Sequence, residues 1–224
     1  MGQPPEEAIV PIGGQAPDVA AAHRRERLFT ATVDLVAKRG YRNTSIDQIV
    51  KSAGVGHAAF RDLFEGKEDC FLAAFDRIVA ETAGALAGAV ADETDWPRQI
   101  AAALACVLDL IVADPRRARI ALVEVQAAGP VAYARYEEAV DRTMPKLREG
   151  RALNPDTAEL SSTLEEAVLG GILWVVQQRL VKGELKQVEP LLEETIQIGL
   201  APYLGDAEAR DVAKGTLEER NSAT

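Results

Sequence analysis

The chain has 224 residues, 47% of them hydrophobic and 27% charged, with a formal net charge of −10. That balance suits a globular protein of one large or two smaller domains, and it argues against a disordered or fibrous chain. Two cysteines, Cys70 and Cys106, give neither a disulfide framework nor a metal-ligand spacing, so reduced thiols are expected.

The first 19 residues hold Pro4, Pro5, Pro11, Pro17 and Gly13-Gly14, with acids but no Lys or Arg. They read as a disordered lead-in (1–19) and a poor arm for clasping DNA. They also lack a basic segment followed by an apolar one, so export is not expected and the location is cytoplasmic.

From Ala20 the signals are helical, and no alternating strand pattern follows. The first helix is expected over 20–38, with Leu28, Phe29, Ala31, Thr32, Leu35 and Val36 at helical spacing. Gly40 stops it behind Lys38 and Arg39, which suit a helix C-terminus. Thr44 is expected to cap the second helix, with Asp47 at its third position. Ala53-Gly54-Val55 makes a turn, and a third helix runs over 56–64 with Phe60 and Phe64 on its buried side. Two short helices around such a turn commonly place the second in the major groove of DNA.

Charge supports that use. Residues 22–67 hold nine bases and five acids, a local +4, and the remainder holds 16 bases and 30 acids, a local −14. A basic module on an acidic body touches polyanions with one end only.

Beyond Gly66 the expected helices are 67–92, a run from Asp95-Trp96-Pro97 to about Val112, one opened by Asp114-Pro115, and 131–148 with a kink or break at Met144-Pro145. Asn154-Pro155 opens a helix to about Val181, and Glu189-Pro190 opens the last, ending near Leu204. The apolar run from Ile100 to Ala113 is too short to span a bilayer and carries Asp109; no membrane is expected, and burial on all sides is. The polar tail, 205–224, is expected to fray.

These residues resemble the TetR family of bacterial transcriptional regulators. The resemblance covers about Arg24 to Phe75 and rests on Leu28, Ala31, Leu35, Gly40, Tyr41, Thr44, Ser45, Ile46, Ile49, Ala53, Gly54, Val55, Phe60, Phe64, Lys67 and Glu68. It implies an all-α homodimer: a three-helix head with a helix-turn-helix (20–66) on a larger helical body (67–204) that binds a small effector and dimerises through its last two long helices. It implies a repressor released from an operator by that effector, with no cofactor. The chain departs from the family pattern at Arg61, where tyrosine is usual, at Leu63, Ala58 and Gly66.

Phosphate contacts are expected from Arg42, Thr44, Ser45, Lys51, Arg61 and Lys67, and base contacts from Gly56, His57, Ala58 and Ala59. An apolar or aromatic effector is expected among Phe75, Trp96, Leu104, Leu108, Tyr133, Tyr136, Met144, Trp174 and Gln178. Residues 168–176 are apolar on more than one face, which suggests core on one side and a partner on the other. The expected dimer contacts are Leu164, Val168, Gly171, Val175, Leu192 and Ile196. Two rivals stand beside this reading. One is a TetR-like ligand-binding or interaction protein with weak or lost DNA recognition. The other is an enzyme, disfavoured because no nucleophile, phosphate-loop or metal pattern occurs and both histidines, His23 and His57, lie in the head.

Overall fold

The computed structural model of the protein describes residues 16–185 and 188–223. The proposed lead-in before Ala16 lies outside them. Among the described residues the elements are helical, with no strand. α1 (Ala16–Arg39) starts ahead of the expected Ala20 and ends at Gly40, whose φ of +83° suits only glycine and whose N–H donates to the Val36 carbonyl at 2.8 Å.

α1 packs on α2 (Ile46–Ala53) and, through the head core, on α3 (His57–Arg61). Leu28, Ala31, Ile49, Val50, Val55 and Phe60 fill the space between them, and Cys70 closes it from α4 (Lys67–Ala89). Burial pushes the Cys70 thiol up to about 11, and the Thr32 hydroxyl lies 3.3 Å from its sulfur, so it packs as a small apolar group. Neither cysteine is in a disulfide.

A second core joins head to body. Val33, Val36 and Tyr41 meet Phe71, Phe75 and Ile78 of α4, and all meet Ile120, Val125 and Ala132. Ile120 belongs to a π-helical turn (Ile120–Glu124) set between α6 (Pro115–Arg119) and α7 (Val125–Ala127).

The body is organised on α5 (Trp96–Ala113), started by the Asp95 side chain accepting from the Arg98 N–H at 2.9 Å. This helix is long and apolar enough to cross a membrane by composition. Its Trp96, Ile100, Ala105, Leu108 and Ile111 nonetheless form one wall of the largest core. It is not buried on all sides as expected: Leu110 and Val112 are exposed, and Asp109 is ion-paired to Arg220 at 2.7 Å. The opposite wall comes from α10 (Leu164–Lys182) and α11 (Glu189–Leu204).

One expected break is present, and two boundaries differ from expectation. The 131–148 helix is two, α8 (Pro130–Asp141) and α9 (Met144–Arg148), broken just ahead of Pro145. The helix expected from Pro155 starts at Leu164, because 149–153 and 155–159 form 3-10 turns around one guanidinium. Arg151 donates to the carbonyls of Thr157 (2.8 Å) and Ser161 (2.8 Å) and to both carboxylate oxygens of Glu165 (2.7 and 3.0 Å). Asn154 still caps, accepting from the Asp156 N–H at 3.0 Å, but it caps a 3-10 turn. The tail expected to fray is α12 (Asp206–Ala223). It lays Ala209 and Ala213 against α11 and α5, and Arg220 grips both oxygens of Asp109 at 2.8 and 2.7 Å. Small residues at helical spacing supply this apolar stripe, too weak to stand out in a polar sequence.

Gly150 lies under the Trp96 ring, which donates from Nε1 to the Lys146 carbonyl at 2.6 Å and meets Tyr203 edge-on at 5.0 Å. A methyl on Gly150 would come within 2.5 Å of the Trp96 ring. Gly150→Ala should therefore cost about 1–3 kcal/mol by overpacking, read from denaturant unfolding.

The Arg151 hydrogen bond holds the buried Glu165 carboxyl below its ordinary range. A depressed pKa contributes stability above the unfolded-state value and loses it as pH falls through the folded one. Arg151→Met should thus lower the melting temperature at neutral pH, and the gap to the wild-type protein should narrow as pH falls below about 4.

Candidate nucleic-acid interface

The helix-turn-helix is fixed by its caps. Ser45, not Thr44, caps α2: its Oγ accepts from the Gln48 N–H at 3.3 Å, and the Gln48 Oε1 accepts from the Ser45 N–H at 3.0 Å. This reciprocal box puts Gln48, not Asp47, at the third position. At the other end Gly54 adopts φ +60°, and the Val55 N–H returns to the Val50 carbonyl at 3.0 Å. α3 then projects His57, Ala58 and Arg61 outward while Phe60 turns into the core beside Phe64.

Two of the expected phosphate contacts face inward. Thr44 is 2% exposed, and its hydroxyl donates to the Gly40 carbonyl at 2.9 Å. Lys67 donates its ammonium to the carbonyls of Tyr41 (3.1 Å) and Thr44 (3.0 Å) and sits 4.1 Å over the Tyr41 ring. Both side chains brace the α1–α2 turn from within the head. Arg42, Ser45, Lys51 and Arg61 are exposed, as are Gly56, His57 and Ala58, while Ala59 is half-buried. His57 Nε2 lies 3.3 Å from the Asp47 carboxylate, tying the exposed faces of α2 and α3. Arg27, one of the nine bases of residues 22–67, is not among the expected contacts. It is exposed on α1, and a Cβ at Gly54 would sit 3.6 Å from its Nη1, which places a guanidinium beside the turn. The signal available was its place in the Arg24, Arg25, Arg27 run.

In the body, the expected pocket residues divide. Phe75 belongs to the head–body core, and Trp96, Leu104 and Leu108 pack in the body core. Tyr133, Tyr136, Met144 and Trp174 gather instead around a groove of about 670 Å³ between α8 and α10. Gln126 and Gln177 complete it; Gln178 does not line it. Its charged lining is Glu137, Asp141 and Glu166, with no Lys or Arg.

The expected dimer contacts also divide. Val168, Leu192 and Ile196 are buried inside the chain's own core. Leu164 and Val175 are half-buried against it, and Gly171 is exposed. The apolar side of α10 left open carries Ala167, Gly171, Trp174 and Val181, with Trp174 62% exposed. Sequence pattern alone detects two apolar faces but not which one turns inward.

The head's residues 28–74 match the family model described as bacterial regulatory proteins, tetR family. No curated protein matches the sequence. About four fifths of the chain resembles several solved structures. One is the fatty acid degradation regulator FadR of Bacillus halodurans, at 17% identity and TM-score 0.69, covering 80% of this chain and 94% of that one. A second is a TetR family transcription regulator of Marinobacter aquaeolei, at 19% identity and TM-score 0.66, covering 83% and 97%. A third is FadR of Bacillus subtilis, solved in complex with stearoyl-CoA, at 15% identity and TM-score 0.62, covering 80% and 98%. Residues 28–74 are thus the helix-turn-helix head of the tetR family of bacterial regulatory proteins, carried on a helical body with the fold of solved regulators of that family.

Proposed function

We propose that the protein is a cytoplasmic, homodimeric repressor that leaves its operator when a small molecule fills the groove between α8 and α10. The observation that carries the DNA-binding part is the outward face of α3. His57, Ala58 and Arg61 share it, held in place by Phe60 beneath and by the Ser45–Gln48 box on α2. Arg42, Ser45, Lys51 and Arg61 position the head on phosphates. His57 donates to a base-edge acceptor once Asp47 releases it, and Ala58 touches a thymine methyl.

Dimerisation is supported by the open side of α10. An exposed tryptophan in a row with Ala167, Gly171 and Val181 is the kind of patch a partner covers. The two glycines Gly170-Gly171 have no side chains to hold helices apart. The groove favours an effector with an aromatic or apolar body, since three rings line it. Its three carboxylates and lack of a basic residue disfavour an anion such as the stearoyl-CoA bound by the Bacillus subtilis neighbour. Release follows only if the effector binds the DNA-incompetent spacing of the heads more tightly than the competent one.

The rival, a protein of this fold with weak or lost DNA recognition, draws on Asp47, an exposed carboxylate beside the reading face. Footprinting of the DNA upstream of its own gene across a salt series separates the two. Protection of two related half-sites, fading as salt rises, supports the repressor, and absence of protection at low salt supports the rival.

Arg61→Ala should weaken binding on all sequences and reduce the salt slope by about one unit, and His57→Ala should cost about 1–3 kcal/mol on the operator alone. Trp174→Glu should leave a folded monomer at concentrations where the wild type sediments as a dimer; an unchanged sedimentation coefficient would place the interface elsewhere.

A further inference from the structure

We infer that Glu124 is the residue through which the body positions the DNA-binding head, and that the groove residue Gln177 holds Glu124 in place; this rests on reading the groove as the effector site.

Glu124 is 5% exposed, yet its carboxylate reaches out of the body. Oε1 accepts from Arg119 Nε at 3.1 Å, and Oε2 accepts from the main-chain N–H of Tyr41 at 2.9 Å. A carboxylate accepting from a backbone amide is a strong and directional contact. Tyr41 opens the turn between α1 and α2, the same turn that Lys67 grips through the Tyr41 and Thr44 carbonyls. A Cβ on Gly40 would come within 3.4 Å of Glu124 Oε2, so the carboxylate lies against the bare backbone of that turn. Glu124 therefore ties the body directly to the backbone where the helix-turn-helix begins.

Glu124 can aim there because of the π turn. It is the last residue of Ile120–Glu124, where the Val125 N–H returns five residues to the Ile120 carbonyl. A π turn holds one more residue than an α turn and often marks a functional site. Converting it to α geometry would rotate the residues beyond it by about 100°, one residue's share of a helical turn, and would take the carboxylate off Tyr41.

What secures the π turn from outside lies at the groove. The Leu122 carbonyl, inside the turn, accepts from the Gln177 side-chain amide of α10 at 2.9 Å and from that of Gln126 at 3.4 Å. Both glutamines line the groove with Tyr133, Tyr136 and Trp174. A molecule that takes the Gln177 amide for itself removes the turn's tether to α10. The contact series is groove, Gln177, Leu122 carbonyl, π turn, Glu124, Tyr41 amide. It supplies the element whose two arrangements the effector and DNA would bias in opposite directions.

Amide hydrogen exchange on the ¹⁵N-labelled full-length protein tests this without DNA or an identified effector. Gln177→Leu, which removes the tether but keeps the side chain's bulk, should speed exchange of the Tyr41 amide at least tenfold and leave Ile49 and Phe60 amides unchanged. Glu124→Ala should do the same more strongly, and Glu124→Gln, which keeps an acceptor oxygen, should restore most of the protection. Wild-type exchange at Tyr41 in Gln177→Leu would reduce Glu124 to a local cap, and in Glu124→Ala would remove the contact altogether. Parallel acceleration at Ile49 and Phe60 would show plain destabilisation and also overturn the inference. A wild-type protein that gives no footprint refutes the repressor reading while leaving these exchange rates interpretable.

Discussion

α1 is buried on two sides at once, and the molecule depends on that. Leu28 and Ala31 belong to the core of the head, while Val33 and Val36 belong to the core shared with α4 and the π turn. One helix thus serves two hydrophobic clusters, one in the head and one shared with the body. Moving it means repacking Phe71, Phe75 and Ile120, and close-packed interfaces shift between discrete arrangements more readily than they deform. Ion pairs border the same seam: Arg116 reaches Asp34 at 2.7 Å, Arg77 reaches Glu26 at 2.5 Å, and Arg117 meets Glu81. These pairs are exposed enough to add orientation more than stability.

The head was legible because its signals are local and agree with one another. Gly40, Gly54 and the Phe60–Phe64 pair mark features with one cheap solution each. The error there was one residue wide. Thr44-Ser45 offers two hydroxyls in succession, each with a polar residue three positions on. The sequence does not say which pair closes the box, but burial does: Thr44 is inside and Ser45 outside.

The body was legible in element type and less so in boundaries or faces. Asn154-Pro155 is a sound helix opener, but Arg151 gathers the following carbonyls into 3-10 turns, a long-range effect with no local mark. α10 shows two apolar faces, yet assigning Val168 to the core and Trp174 to the outside needs the positions of α5 and α11. α12 was missed because alanine carries little hydrophobic signal, though Ala209 and Ala213 are fully buried. Glu124 reads in sequence as one acid among many; only the π turn turns it inward.

Trp96 and Trp174 are the only two tryptophans in the chain. One is 8% exposed, hydrogen-bonded and stacked edge-on with a tyrosine; the other is 62% exposed at the mouth of the groove and on the open side of α10. Their intrinsic emission should therefore separate. A blue-shifted, quencher-resistant component reports the integrity of the body, and Trp174 emission, red-shifted and quenchable only while α10 is uncovered, reports what covers α10. The protein carries its own optical probe, able to distinguish unfolding from association or occupancy without any label.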